Sequence, residues 1–277
     1  MEKYSVLMSV YIKAKAGEFC AAVDSMLRQT IPPEEITLVC DGPLTQDLEI
    51  AIAKYTMAHP QLFTIIRFQE NQGLGSALQA GLLACRNELV ARMDADDISL
   101  PDRMEKQLAA MHRYNIPAIV GGQIAEFVQN PSQIISYRQV PLTDGQIRKQ
   151  IGFRCPFNHM TVLLHRPQIL AAGGYQALST YEDYDLWVRL LAQGHRACNI
   201  PDLCCYARID PDFYRRRGGW RYFLKTLKME RTILAHHFID PLQFFCNSIA
   251  RFSCTVLMPP ICRKWFYIRF LRKKEIF

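Results

Sequence analysis

Short apolar runs rich in β-branched residues alternate, through the first half of the chain, with longer stretches that carry apolar side chains at helical spacing. Residues 5–11, 36–41, 63–68, 89–94 and 118–121 read as strands. Residues 18–29, 45–57, 75–85 and 102–114 read as helices, as the set Phe19, Ala22, Val23, Met26 and Leu27 illustrates. This alternation predicts βαβ units and a largely parallel sheet covered on both faces. In such sheets ligands bind at the carboxyl ends of the strands, where Tyr11, Asp41 and Asp94 fall. Past residue 121 the regularity stops. Short strand candidates at 123–128, 134–140 and 160–165, broken by turns near Pro131, Pro141 and Pro156, predict a mixed, partly antiparallel continuation of the same domain. One strong helix follows at 182–193, closed by Gly194. No internal repeat or low-complexity segment interrupts the chain.

A chain of 277 residues with 49% hydrophobic content can bury a large core and is neither disordered nor fibrous. The net charge of +7 is uneven. Residues 201–277 hold 15 Lys and Arg against 6 Asp and Glu, while residues 1–200 are slightly acidic. The first residues hold an apolar run broken by Ser5, Ser9 and Tyr11, with no small-residue cleavage site, so export is not expected. Ten cysteines without a C-x-x-C pair read as reduced thiols of a cytosolic protein, and structural zinc is not expected.

Two acidic clusters carry the chemistry. Asp94, Asp96 and Asp97 place three carboxylates in four residues directly after an apolar strand. Their repulsion suits a hard divalent cation bound through oxygen, Mg²⁺ or Mn²⁺. Asp96, Asp97 and Ser99 could instead cap the next helix, but a place at a strand's carboxyl end favours the metal. The second cluster, Glu182 and Asp183, opens the helix 182–193; Ser179 or Thr180 with Glu182 or Asp183 also fits a capping box. Spacing leaves both readings open. If the two clusters face each other across a cleft, one can hold metal and diphosphate while the other deprotonates a hydroxyl. Lesser signals are Asp41-Gly42, a polar turn; Asn71 through Ser76, a glycine-containing turn into a helix; Arg215-Arg216-Arg217, a phosphate site or a solvated face; and His159 and His165, core histidines rather than zinc ligands.

The segments SVLMSVY, SMLRQT, VCDG, NQGLGSALQAG, MDADDISLPDR and YEDYDLWVRL, in this order, resemble glycosyltransferase family 2, which has the GT-A nucleotide-sugar-binding fold. VCDGPL, ARMDADDISLPDRMEKQ and RRRGG are similar to its bacterial branch that builds O-antigen, capsule and exopolysaccharide. The resemblance implies an α/β GT-A domain over residues 1–212, Rossmann-like and mostly parallel, with a nucleotide-binding half to about 120 and an acceptor half at 121–212. It further implies that Ser9, Tyr11 and Asp41 hold uridine, with Asn71 near its ribose or base. Asp94 and Asp96 would form the D-x-D that binds Mn²⁺ or Mg²⁺ and diphosphate, Asp97 would support the donor sugar, and Asp183 of the Glu182-Asp183 pair would be the general base. SVYIK departs from the family's Pro and Tyr-Asn at the end of the first strand, and the Q-x-x-R-W of processive members is absent, so single-sugar addition is implied. The expected activity is inverting transfer from a UDP-sugar, galactose or glucose, to a lipid-diphosphate-linked sugar.

Residues 213–277 form a basic, aromatic tail expected to be helical. Its longest apolar stretch, near 252–262, is cut by Pro259-Pro260 and falls short of the ~20 residues a membrane span needs. Two readings remain: association with an anionic membrane on its cytoplasmic face, and an amphipathic helix pair packed on the catalytic domain. A nucleic-acid partner is not expected. The competing functions are a sugar-phosphate nucleotidyltransferase, for which residues 12–17 would have to form a basic glycine-rich phosphate loop, and a catalytically silent membrane-docking module.

Overall fold

The structure, a computed structural model, describes residues 3–210 and 216–274. Strands β1 (Tyr4–Val10), β2 (Glu35–Cys40), β3 (Phe63–Arg67) and β4 (Leu89–Arg92) are joined by helices α1 (Ala16–Leu27), α2 (Gln46–Ala58) and α3 (Leu74–Ala84). Their pairings, β3 with β2, β2 with β1 and β1 with β4, are all parallel, as the periodicity predicts. β1 and β2 are buried on both faces because helices cover both faces: α1 and α2 pack on one side, α3 on the other. A short strand, β5 (Ile98–Ser99), separates the first acidic cluster from α4 (Arg103–Arg113).

The second half continues the same sheet with mixed pairing. In order along the chain come β6 (Ile119–Phe127), β7 (Ser136–Arg138), α5 (Asp144–Gln150), β8 (Leu163–His165), α6 (Arg166–Ala171), α7 (Glu182–Ala192) and β9 (Ala197–Arg208). The sheet runs β3-β2-β1-β4-β8-β6-β9-β5, with β7 on β6. Two expected segments, 118–121 and 123–128, are one strand: β6 runs through both, with register irregularities beside Gly121 and Gln123 where it pairs with β9. The 134–140 candidate shrinks to β7, and 160–165 divides into a 3₁₀ turn and β8.

The C-terminal region is helical and basic. Helices α8 (Trp220–Ala235), α9 (Pro241–Phe252) and α10 (Pro260–Leu271) follow, with a π turn at Ser253–Leu257. α8 buries Met229 and Ile233 against the core that contains α7, and Phe223 against Phe252 of α9. Buried Glu230 of α8 accepts from Asn247 at 2.9 Å and pairs with Arg251 at 3.2 Å, fixing α9. Beyond α10, Arg272 pairs with Glu126 of β6 at 2.5 Å, and Lys273 bridges to Tyr137 of β7. Packing on the central sheet and exposed apolar side chains coexist: Leu242, Phe245, Ile261, Trp265 and Phe270 all stand in solvent. No helix among the described residues is long and apolar enough to cross a membrane. The architecture is the mixed α/β, GT-A-like sheet with a basic helical C-terminus that the resemblance implies. The expected boundary at 212/213 lies outside the described residues.

Candidate active site

The carboxyl ends of β1, β2 and β4 border a cleft of about 390 Å³ lined by Ser9, Tyr11, Asp41, Asn71, Asp94 and Asp96. Six of the residues expected to bind nucleotide therefore meet, although they come from four separate stretches of sequence. Asp41 and Asn71 have additional work. The Asp41 carboxylate accepts the Asn71 amide at 2.9 Å and the backbone N–H groups of Gln72 and Gly73 at 2.7 and 3.0 Å. Asp41 thus fixes the 71–73 turn, whose shape then sets the cleft wall. The preceding turn needs glycine at position 42: φ is +88°, and a Cβ there would lie 2.8 Å from the Asn71 nitrogen.

Asp94 is anchored from below by Arg92, whose NH1 approaches Asp94 Oδ1 at 2.5 Å. Arg92 is only 1% exposed, and its Nε has no hydrogen-bond partner. Sequence reading missed this residue; its one signal was a charge inside a fully apolar strand. Asp96 is the most exposed of the three aspartates. Desolvation within the cleft, and then the adjacent Asp94 charge, push its carboxyl up to about 6. Asp97 turns away from the cleft, is 2% exposed, and accepts the Arg208 backbone N–H at 2.7 Å. It locks the acidic turn to β9 and does not line the cleft. Helix capping by Asp96, Asp97 or Ser99 is not observed: α4 starts at Arg103 after β5, and its N-cap makes no side-chain bond.

A pair of carboxylates with one neighbouring arginine suits a hard cation only in part. Among the described residues no group of three or more His, Cys, Asp or Glu could hold a metal alone. Asp94 and Asp96 fit an ion that takes its remaining ligands from diphosphate and water, the habit of Mg²⁺-like cations.

The second acidic cluster opens α7. Tyr181, its N-cap, adopts left-handed φ 69°, and neither Ser179 nor Thr180 makes the capping box that spacing leaves open as the alternative. Asp183 Oδ1 accepts the Tyr184 N–H at 2.7 Å, while Cys155 Sγ lies 4.0 Å from Oδ2. Burial raises the Asp183 carboxyl, against the Tyr184 N–H and the Arg138 and Arg92 charges that lower it. Glu182 is pushed up to about 7 by burial and then by the Asp183 charge. Asp183 lines a second cavity, which Arg208 also lines; Arg208 bonds the Asp96 carbonyl at 3.1 Å and pairs with Glu18 at 3.4 Å, both residues of the first cleft. The two carboxylate clusters thus serve neighbouring cavities with Arg208 at the partition.

The other flagged residues resolve simply. His159 is paired with the Tyr175 hydroxyl at 2.9 Å beside Trp187, and burial drives it well below the ordinary histidine range, so it is a neutral core residue. His165 sits near Glu88 and is also lowered by burial. Arg216 pairs with Asp210 at 3.0 Å, Arg217 lines the second cavity, and Arg215 lies outside the described residues. All ten cysteines are free thiols.

Residues 5–168 match the glycosyl transferase family 2 profile. An uncharacterized glycosyltransferase of Haemophilus influenzae is 40% identical, over 98% of this chain and 100% of its own. The Escherichia coli UDP-Gal:alpha-D-GlcNAc-diphosphoundecaprenol beta-1,3-galactosyltransferase is 32% identical, over 98% of this chain and 97% of its own. In fold, the chain superposes on Staphylococcus aureus TarS 1–349 in complex with UDP-GlcNAc with a TM-score of 0.65 at 14% identity, over 97% of this chain and 76% of that one. The chain belongs to glycosyltransferase family 2, among relatives that include bacterial surface-polysaccharide enzymes.

Proposed function

We propose that this protein transfers one sugar, galactose or glucose, from its UDP donor to a lipid-diphosphate-linked sugar, with inversion, in bacterial surface-polysaccharide synthesis. The observation that carries this reading is the division of labour between neighbouring cavities: Asp94 and Asp96 in one, Asp183 in the other. The name of the Escherichia coli relative, aligned over nearly the whole chain, supports the same donor and acceptor classes.

In this reading Ser9 and Tyr11 contact the nucleoside on a cleft wall shaped by Asp41 and Asn71, while Asp94 and Asp96 hold the cation beside the donor diphosphate. When bound, Mn²⁺ or Mg²⁺ supplies Lewis-acid neutralisation of the leaving diphosphate. Asp183 then takes the proton of the acceptor hydroxyl as that oxygen attacks the anomeric carbon and the bond to the diphosphate breaks. A carboxyl raised by burial is a stronger base than an exposed one, which suits this task. Attack from the face opposite the leaving group inverts the anomeric configuration. Asp97 acts through position, by fixing the acidic turn to β9.

The nucleotidyltransferase reading loses its phosphate loop, because Gly17 lies inside α1. A silent module would have no reason to keep charged carboxylates in both cavities, since an unused buried charge only destabilises. The test is calorimetric titration of UDP with and without Mn²⁺, on the parent and on Asp94→Ala and Asp96→Ala. Binding that requires Mn²⁺ and is lost in both variants is expected; Mn²⁺-independent binding, or parent-like affinity in either variant, refutes the metal assignment.

The exposed apolar residues of α9 and α10, with Lys264 and Arg269 beside them, support peripheral attachment to the cytoplasmic face of an anionic membrane.

A further inference from the structure

The cavity on the Asp183 side measures about 300 Å³ and is walled by β6, β9, α7 and the three C-terminal helices. Six arginines reach it: Arg138, Arg154, Arg208, Arg217, Arg251 and Arg272. Only three carboxylates share the lining, Glu126, Asp183 and Glu230. Two of these are already committed, Glu126 to Arg272 at 2.5 Å and Glu230 to Arg251 at 3.2 Å. Arg208 has its own partner in Glu18, and Arg217 bonds the Tyr267 side chain.

Arg138 and Arg154 stand apart. Arg138 donates to the Cys155 carbonyl at 2.9 Å and Arg154 to the Leu271 carbonyl at 3.2 Å, and neither forms an ion pair among the described residues. Arg138 Nε is buried with no partner at all. Burial, and then the Arg138 and Arg272 charges, push Arg154 down to about 9, far below an ordinary guanidinium. Cavity-facing guanidinium groups without an ion-pair partner are expensive unless an anion arrives to meet them.

The anion is identified by shape and place. Several forked donors converging on one small volume suit phosphate oxygens, which accept bidentate bonds. The donor diphosphate is accounted for by Asp94 and Asp96 across the Arg208 partition. A second diphosphate, on the side of the base, belongs to the acceptor. On the same wall, Tyr267 and Leu271 of α10 line the cavity while Trp265, Ile268 and Phe270 of that helix stand in solvent, an apolar route for a lipid chain. We infer that the arginine cavity binds the acceptor's diphosphate, with Arg138 and Arg154 as its anchors, so that the acceptor sugar is delivered to Asp183. This rests on the transferase reading above and assigns the acceptor half of it.

The test has a binding arm and a kinetic arm. Inorganic pyrophosphate is titrated calorimetrically into metal-free protein, where the donor cleft presents four carboxylates against a single lysine, Lys13. Binding is expected, weakened about 10–100-fold by Arg154→Gln, the range for loss of a charged hydrogen bond, and largely restored in Arg154→Lys. Transfer is then compared between a sugar α-diphosphate bearing an undecyl chain and the undecyl glycoside of the same sugar. Arg154→Gln should raise KM for the diphosphate acceptor alone and leave Kd for UDP–Mn²⁺ unchanged. Pyrophosphate binding that is absent, or equal in parent and Arg154→Gln, overturns the inference, as does a parallel loss of UDP–Mn²⁺ affinity, which would make this the donor's site. If the inference alone fails, UDP–Mn²⁺ still binds and the plain glycoside is still extended; if UDP–Mn²⁺ does not bind, the transferase reading itself has failed and the acceptor assignment falls with it.

Discussion

Asp183→Asn separates chemistry from packing, because the two effects have opposite signs at this residue. Asparagine keeps an oxygen for the Tyr184 N–H, which Asp183 Oδ1 now accepts at 2.7 Å, so the first turn of α7 retains its bond. The substitution also removes a charge that burial disfavours, since the Asp183 carboxyl is raised above its ordinary 3.8. Folding stability at pH 8 should therefore be unchanged or slightly higher. Turnover should fall, because an amide cannot accept the acceptor's proton; loss of a general base costs about 10²–10⁴-fold, or roughly 3–5 kcal/mol on the barrier. The assay is the initial rate at saturating donor, with UDP–Mn²⁺ affinity and the thermal midpoint measured on the same preparations. Donor affinity should hold within about twofold, because Asp183 lies outside the nucleotide cleft. A variant that keeps more than a tenth of parental turnover per folded molecule, or one less impaired than Glu182→Gln, would show that Asp183 is not the base. The parent's rate should also rise with pH through a limb above the ordinary carboxylate range, since only the deprotonated carboxylate can act.

Glu182→Gln should raise the thermal midpoint at pH 8 and leave it unchanged below about pH 4. Glu182 is held at about 7 against an ordinary 4.5, so the folded state binds the extra proton between these values and loses stability as pH rises through them, by about 1–3 kcal/mol after allowance for solvent screening; equal midpoint changes at both pH values would refute this. Gly42→Ala should lower stability by about 1–3 kcal/mol and weaken UDP binding, because the added Cβ meets the Asn71 nitrogen at 2.8 Å; calorimetry and thermal melts check both. The Trp265→Ala, Phe270→Ala double variant should sediment less with anionic vesicles while retaining its midpoint, because both side chains are 61% exposed. Parental binding should weaken with salt but not vanish, since charges are screened over roughly 10 Å at 0.1 M and apolar contacts are not; vesicle binding by the double variant equal to the parent's would remove α10 from the interface.

The first half of the fold was legible because its order is local. Each strand and the helix after it is a continuous stretch, and burial on both faces writes the strand as a mostly apolar run with few polar interruptions. β9 was illegible for the opposite reason. It carries Pro201 and Asp202 mid-strand, and its long pairing is with β6, about eighty residues earlier in the chain. The same non-local pairing hid half of the site. The aspartates were visible as clusters in sequence, whereas Arg138, Arg154 and Arg208 are single arginines in β7, a turn and β9, each indistinguishable from a solvated surface residue until the sheet closes. Asp41, Asn71 and Asp97 stood out in the sequence, but periodicity could not say that their oxygens and amides would be spent on groups of neighbouring turns and strands.

On the proposed reading, the C-terminal helices would bear on catalysis as well as on membrane attachment. Tyr181 holds a left-handed conformation at the residue before Glu182, which costs an L-residue with a Cβ about 1–2 kcal/mol. Its hydroxyl is bonded to Tyr222 at 2.9 Å and Thr226 at 3.0 Å, both on α8. Two hydrogen bonds contributing about 0.5–1.5 kcal/mol each are of the size needed to offset that strain. α8 is held in turn through Glu230 to α9, and the residue after α10 closes on β6 through Arg272 and Glu126. Without these helices the start of α7 would lose what compensates its strained entry, and the arginine cavity would lose three of its walls. The angle at which Asp183 is presented, and the enclosure that raises its carboxyl, therefore depend on a region that the sequence alone presents as a basic appendage.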